Sequence, residues 1–188
     1  MAFAISIFEF RISLIVADFL KPDEVLHELH LQENMLVAEF GCGSAVLAIA
    51  LARKLKKGRV YALDIQEEKL SALKGKVSVE KINNVYTILC DLETNNGSTL
   101  QNNSLDIVLI PNVLFQSENR HAIIKEAKRI LKSDGQLLII DWLTQSPFNP
   151  KEALVSPDEV KKIAETLGFS LKKEFAAGDY HYALLFTK

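Results

Sequence analysis

Cysteine is nearly missing from this chain. Cys42 and Cys90 are the two it has, far apart in sequence and outside any Cys-x-x-Cys pair. That excludes a disulfide framework and a cysteine-based metal site, and both thiols are expected to be reduced core groups in a cytoplasmic protein. No charge of one sign is in excess: 22 Lys and Arg face 24 Asp and Glu, a formal net charge of -2. Such a balance gives no strong non-specific pull on nucleic acid. The lysines are scattered over expected helix ends and polar faces, with no stripe of interleaved aromatics, and are read as a solvated surface. Metal ligands are equally sparse. His27 and His30 sit three apart beside Glu28, but no further ligands follow at usable spacing, so no metal is expected. There is no internal repeat and no low-complexity linker. The apolar opening, residues 1–16, carries Glu9 and Arg11 in its middle, has no basic leader region and is too short to span a bilayer. Residues 1–20 are therefore expected to be an extension lying on the domain and contributing to a lid, without stable membrane insertion.

What is present is the composition of an ordinary globular protein: 188 residues, 48% hydrophobic and 24% charged. A chain of this length can bury roughly 70% of its unfolded surface as one domain, here residues 21–188. From Pro22 onward, short apolar runs alternate with stretches of helical periodicity. Expected strands are Met35–Phe40, Arg59–Asp64, Val85–Cys90, Leu105–Ile110 and Gln136–Asp141. Expected helices begin at Pro22, run from Ser44 to Lys57 and from Gln66 to Lys81, and follow Ile123. The last of these ends in a Ser133-Asp134-Gly135 turn. Ser156-Pro157-Asp158-Glu159 is a full helix start, with a capping serine, proline at the first position and an acid that closes the capping box. Two extended runs, Phe169–Phe175 and His181–Thr187, then form a hairpin. The alternation implies an α/β fold: a doubly wound, mostly parallel seven-stranded sheet with helices on both faces and a C-terminal antiparallel β-hairpin.

In such a sheet, ligands bind at the carboxyl ends of the strands. The first strand ends in Glu39-Phe40-Gly41-Cys42-Gly43-Ser44-Ala45. Glycine allows a sharp turn and close approach of a ligand, and the next helix aims its free N–H groups at that point. A glycine pair alone is equally well explained as a tight strand–helix turn. Asp64 adds weight, because it closes the second strand about twenty residues later, where a carboxylate can accept from a ribose diol. It can also cap the helix that starts near Gln66. A dinucleotide would want a third glycine where Val46 stands, and a pyrophosphate would be repelled by Glu39. S-adenosylmethionine carries a sulfonium and an ammonium, for which a nearby acid is favourable.

Five stretches, in order, resemble the motifs of class I S-adenosylmethionine-dependent methyltransferases: Val37–Ala45, Tyr61–Ile65, Leu89–Leu92, Ser104–Phe115 and Lys125–Trp142. The last is similar to the group containing ubiquinone/menaquinone-type enzymes. The resemblance implies a Rossmann-like methyltransferase fold with S-adenosyl-L-methionine as cofactor. It implies that Glu39 lies near the methionine end, and that Gly41, Cys42 and Gly43 let the backbone approach methionine and ribose. Asp64 would hold the ribose hydroxyls and Ile65 the adenine face. Asp91 and the Leu92 amide would meet the adenine, and Asn112 the ammonium. Ala45 departs from the family, where glycine is usual; a methyl group there is expected to narrow the pocket. Methyl transfer needs alignment above all, so no residue is forced to be catalytic. Acceptor contacts are sought among Asn112, Phe115, His121, Asp141 and Trp142. Tyr180 and His181 at the closing hairpin are further candidates, and the loops 112–120 and 142–156 would complete the lid. A small-molecule acceptor is the first expectation. An RNA or protein acceptor, or a cofactor-binding module without catalysis, are the alternatives.

Overall fold

The computed structural model describes residues 20–147, 150 and 154–188. Its strands are β1 (Leu36–Phe40), β2 (Arg59–Asp64), β3 (Val85–Leu89), β4 (Leu105–Pro111), β5 (Leu131–Trp142), β6 (Ser170–Ala176) and β7 (His181–Thr187). Its helices are α1 (Pro22–His27), α2 (Val46–Lys54), α3 (Glu67–Val79), α4 (Arg120–Ile130) and α5 (Pro157–Thr166). The seven strands form one sheet in the order β3-β2-β1-β4-β5-β7-β6. The first five are parallel, and β7 runs antiparallel between β5 and β6.

The side-chain period of two decides which layer each residue joins. Along β1 and β4, Val37, Ile107 and Leu109 pack under α1, α2 and α3 with Leu26, Leu47, Leu51 and Leu73. Their neighbours Ala38, Phe40, Val108 and Ile110 pack on the other face, with Ile123, Ile130, Val160 and Ala164 of α4 and α5. Both faces of the central strands are thus covered, and β1 and β4 are apolar apart from Glu39 and Asp106.

Several boundaries differ from the sequence expectation, among them the helix end at Lys54 rather than Lys57, and two of the differences have a local cause. The helix after β1 starts at Val46 rather than Ser44, because the turn occupies every residue through Ala45, which is left-handed at φ 70. The Ser133-Asp134-Gly135 segment is part of β5. Its pairing slips from Leu105↔Leu131 to Ile107↔Gln136, so the expected turn is taken up as a bulge within the strand. Ser156 caps α5 as expected, its side chain accepting from the Glu159 amide.

Candidate active site

The glycine turn is pinned to the end of β2 by its backbone. The Gly41 and Cys42 amides both donate to the Leu63 carbonyl, at 2.7 and 3.1 Å, and the Ala45 amide closes the turn on the Cys42 carbonyl at 2.7 Å. Glycine is required at 41 twice over: φ is +74, and a Cβ there would collide with Val113 Cγ2. Ala45, by contrast, is buried in the core under α2 and is not on the wall of the cleft. The expectation that its methyl group narrows the pocket is therefore corrected. The departure from glycine acts on the backbone instead, where the left-handed conformation costs an alanine about 1–2 kcal/mol.

The turn borders a cleft of about 610 Å³ at the carboxyl ends of the strands, a size usual for small-molecule sites. Asp64 stands in its wall with both carboxylate oxygens engaged. Oδ2 accepts from the Gly43 amide at 3.1 Å and Oδ1 from the Gln66 amide at 3.0 Å. It therefore locks the turn to β2 and opens α3, while still lining the cleft. Lys76 of α3 adds a second tie, donating to the Ser44 carbonyl at 2.9 Å.

Glu39 also lines the cleft, from inside β1 and only 2% exposed. Burial lifts its carboxyl well above the usual range. The Ala48 amide, in the first turn of α2, works against that rise, and the Asp64 charge adds to it. Its Oε2 atom has no hydrogen-bond partner among the described residues. Asn112 shares this property. Its backbone takes φ 53 just past β4 and its amide donates to the Ile140 carbonyl at 2.8 Å, but its buried Oδ1 is unpartnered.

Ile65, Asp91 and Leu92 line the cleft beyond Asp64. Ile65 is 65% exposed, an apolar side chain left open on the cleft wall. Asp91 accepts from the Glu93 amide at 2.9 Å. Cys42 and Cys90 line the cleft too, and burial pushes their thiols up to about 12 and about 11, so both stay protonated and unreactive. Among the described residues no three His, Cys, Asp or Glu side chains gather as a metal site. No described helix is long and apolar enough to cross a membrane.

The opposite wall is built by the ends of β4, β5 and β7. Asn112, Phe115, Trp142 and His181 face the cleft. Trp142 and His181 are paired across β5 and β7, and their rings stack with centroids 4.2 Å apart. Two expected acceptor-side residues lie elsewhere. His121, in the first turn of α4, is exposed and outside the cleft. Asp141 is fully buried on the α4–α5 face of the sheet, because it alternates with Trp142. Its Oδ2 accepts from the Phe115 amide at 3.1 Å and its Oδ1 from the Trp142 amide at 2.8 Å. Burial pushes its carboxyl up to about 6 despite these bonds.

Glu93 was not legible as part of the site. It lines the cleft and holds the far loop: it accepts from the Ser117 hydroxyl at 2.9 Å and from the Glu118 and Asn119 amides at 3.2 and 2.8 Å. Arg120 secures the same loop from behind, donating to the Leu114 carbonyl and to Glu159. The expected lid loop 112–120 is thus anchored at several points. Leu20 lines the cleft, whereas the rest of the expected N-terminal lid, and residues 148–149 and 151–153 of the other loop, lie outside the described residues.

Comparison with known proteins accords with this geometry. The chain matches the family described as "Methyltransferase domain" over residues 31–180. It is 29% identical over 132 residues to a demethylmenaquinone methyltransferase of Listeria monocytogenes, a stretch that is 68% of this chain and 52% of that protein. It is 35% identical over 102 residues to malonyl-[acyl-carrier protein] O-methyltransferase 2 of Coxiella burnetii, 54% of this chain and 37% of the other. The chain spans about half the length, or less, of these curated relatives. A SAM-dependent methyltransferase from Aquifex aeolicus superposes with a TM-score of 0.82 at 26% identity, over 91% of each chain. With its family match running from 31 to 180 of 188 residues, the chain belongs to the methyltransferase-domain family of class I S-adenosylmethionine-dependent methyltransferases.

Proposed function

We propose that this chain binds S-adenosylmethionine over the Gly41–Ala45 turn and directs methyl transfer to a small-molecule acceptor on the opposite wall. The observation that carries this reading is the pair of buried oxygens without partners, Glu39 Oε2 on β1 and Asn112 Oδ1 just past the end of the adjacent β4, in the wall of one cleft. Two stranded acceptors call for N–H donors, and a primary ammonium brings three. A pyrophosphate brings acceptors alone and would leave both oxygens unsatisfied. The other residues fit the remainder of the molecule. Asp64 has lone pairs left for a ribose diol after its two amide bonds, the exposed Ile65 offers an apolar surface to a purine, and Asp91 offers an acceptor to the purine's amine.

When bound, S-adenosylmethionine supplies an electrophilic methyl group on a sulfonium. The chain's contribution is to hold that end still and to present an acceptor in line, a positional effect that can amount to several kcal/mol, roughly 7–11 at its extreme. Phe115 and Trp142 provide the apolar surface against which an acceptor packs, and the relatives named for demethylmenaquinone and malonyl-[acyl-carrier protein] support acceptors carrying small organic groups. Calorimetry with S-adenosylmethionine and S-adenosylhomocysteine tests the reading. Binding of both is expected, and no heat with either overturns it. A screen of small molecules with labelled methyl groups then identifies the acceptor.

A further inference from the structure

We infer that Glu93 is a positioning residue through which the segment facing the purine holds the loop that carries Phe115, so that filling the purine end of the cleft firms the acceptor wall. The inference rests on the reading above, in which Asp91 meets the purine's amine. Asp91, Leu92 and Glu93 come just after β3 and all line the cleft. Local hydrogen bonds fold them into one turn. The Glu93 amide donates to Asp91 Oδ1 at 2.9 Å, and the Thr94 hydroxyl donates to the Asp91 carbonyl at 2.8 Å. The turn is tight enough that a Cβ at Gly97 would lie 2.0 Å from the Asp91 carbonyl oxygen. The carboxylate offered to the ligand therefore also fixes the direction in which Glu93 leaves the chain.

From that turn the Glu93 carboxylate reaches the facing loop, where it accepts from the Ser117 hydroxyl and from the Glu118 and Asn119 amides. The fold does not need these bonds. Asn119 already caps α4, its side chain accepting from the Ala122 amide at 3.0 Å. Farther along, α4 grips the same segment independently. Glu126, 4% exposed, accepts from the Ser98 amide at 3.0 Å and from the Ser98 hydroxyl, and Arg129 donates to the Leu100 carbonyl at 2.7 Å. Glu93 differs from those ties in standing half-buried in the cleft wall. Without a ligand, water reaches it from the cleft and competes for its oxygens. A purine seated beside Asp91 displaces that water, and charge-assisted hydrogen bonds strengthen where water leaves.

The other end of the loop is fastened from the cofactor side too. Asn112 donates its amide to the Ile140 carbonyl, and Gln116 Nε2 donates to the Asn112 carbonyl at 3.1 Å. Phe115 stands between the two fastenings, its amide on Asp141 Oδ2. In this reading the ammonium meets Asn112 and the purine acts through Glu93. Phe115 is thus carried on a loop whose two ends both answer to the cofactor, and an acceptor meets a firm aromatic surface on the loaded chain. Methyl transfer depends on such alignment above all.

The test reads the amides of Glu118 and Asn119, which donate to Glu93 although neither residue lines the cleft. Hydrogen exchange of the full chain is followed by NMR, alone and with S-adenosylhomocysteine or adenosine at a saturation set by calorimetry. Both ligands are expected to slow the two amides by about tenfold. Adenosine is included because it fills the purine end and lacks the ammonium that meets Glu39 and Asn112. In Glu93→Gln, with S-adenosylhomocysteine bound, the slowing should be lost while Leu100, whose amide donates to Ser98 Oγ, exchanges as in the wild type. Faster exchange at all three would make Glu93 a stabiliser of the fold alone and overturn the inference, as would slowing that persists in the variant. In the wild-type chain, which needs no variant to fold, slowing by S-adenosylhomocysteine but not by bound adenosine also overturns it. Unaltered exchange with both ligands bound does the same and leaves the proposed function standing. Failure of S-adenosylhomocysteine to bind overturns the proposed function and this inference with it.

Discussion

The two walls of the cleft are built by different means. On the β1–β3 wall, Asp64, Asp91 and Glu93 are each held by backbone amides of the same or a facing loop, so polar groups are set before any ligand arrives. On the β4–β5–β7 wall the surface is largely aromatic, Phe115, Trp142 and His181, and its nearby carboxylate, Asp141, is turned to the back to hold that wall in shape. Fixed hydrogen bonds suit a ligand that never varies. An apolar, shape-based wall suits one that differs from relative to relative, because a pocket of rings can be recut without breaking a polar network.

The largest expected effect probes the hidden carboxylate. The carboxyl of Asp141 is raised from 3.8 to about 6. Between those values the folded chain holds more protons than the unfolded one, so its contribution to stability falls as pH rises and is lowest above about 6. The stability of Asp141→Asn relative to wild type should therefore improve by about 3 kcal/mol between pH 3 and pH 8, followed by urea unfolding. No change with pH would mean that Asp141 is ionised throughout. Next, Asp64→Ala should weaken S-adenosylhomocysteine binding by about a hundredfold, since it removes the ribose acceptor together with the tie to Gly43. Unchanged affinity by calorimetry would remove the ribose assignment.

Glu39→Gln is expected to weaken the same ligand by about tenfold. In the wild type, Glu39 must release a proton to meet the ammonium, so affinity should tighten as pH rises, and the variant should lose that dependence. On the opposite wall, Phe115→Ala should change cofactor affinity by less than about threefold while methyl transfer to an acceptor found by screening drops more steeply. Equal losses of both would erase the division between the walls. The smallest effect belongs to Ala45→Gly. Relief of the left-handed alanine is offset by a lost buried methyl group, about 0.8 kcal/mol, and by the greater freedom of unfolded glycine. Stability should move by less than about 1 kcal/mol and affinity hardly at all; a clear gain in affinity would put the methyl group back in the pocket.

How much of this was legible in the sequence follows the same division. The β1–β3 wall could be read because its parts are local: Gly41 and Gly43 follow one strand directly, Asp64 and Ile65 another, and Asp91 and Leu92 a third. β2 falls on residues 59–64 as expected for the same reason. The other wall depends on features that spacing does not carry. Asp141 and Trp142 were grouped as neighbours at one strand end, whereas strand alternation sends them to opposite faces, a signal that was present and unused. The clamp from Glu93 to Ser117, Glu118 and Asn119 joins residues about 25 apart through a loop of no regular pattern. Whether the hairpin would sit with β7 or β6 against β5 was likewise open, because both strands are short and both would pair. Ala45 was misjudged because a motif shows which residue departs, and a dihedral angle shows where its side chain goes.

The stacked pair on the acceptor wall has a practical consequence. The chain contains one tryptophan, and it is Trp142, in van der Waals range of His181 and open to the cleft. Every photon of indole emission from this protein therefore originates within the site, on the side where the acceptor is unidentified. A compound that docks there will alter intensity or colour directly, with no dye, no label and no background from elsewhere in the fold. The molecule is in effect its own optical sensor for the ligand that remains to be found.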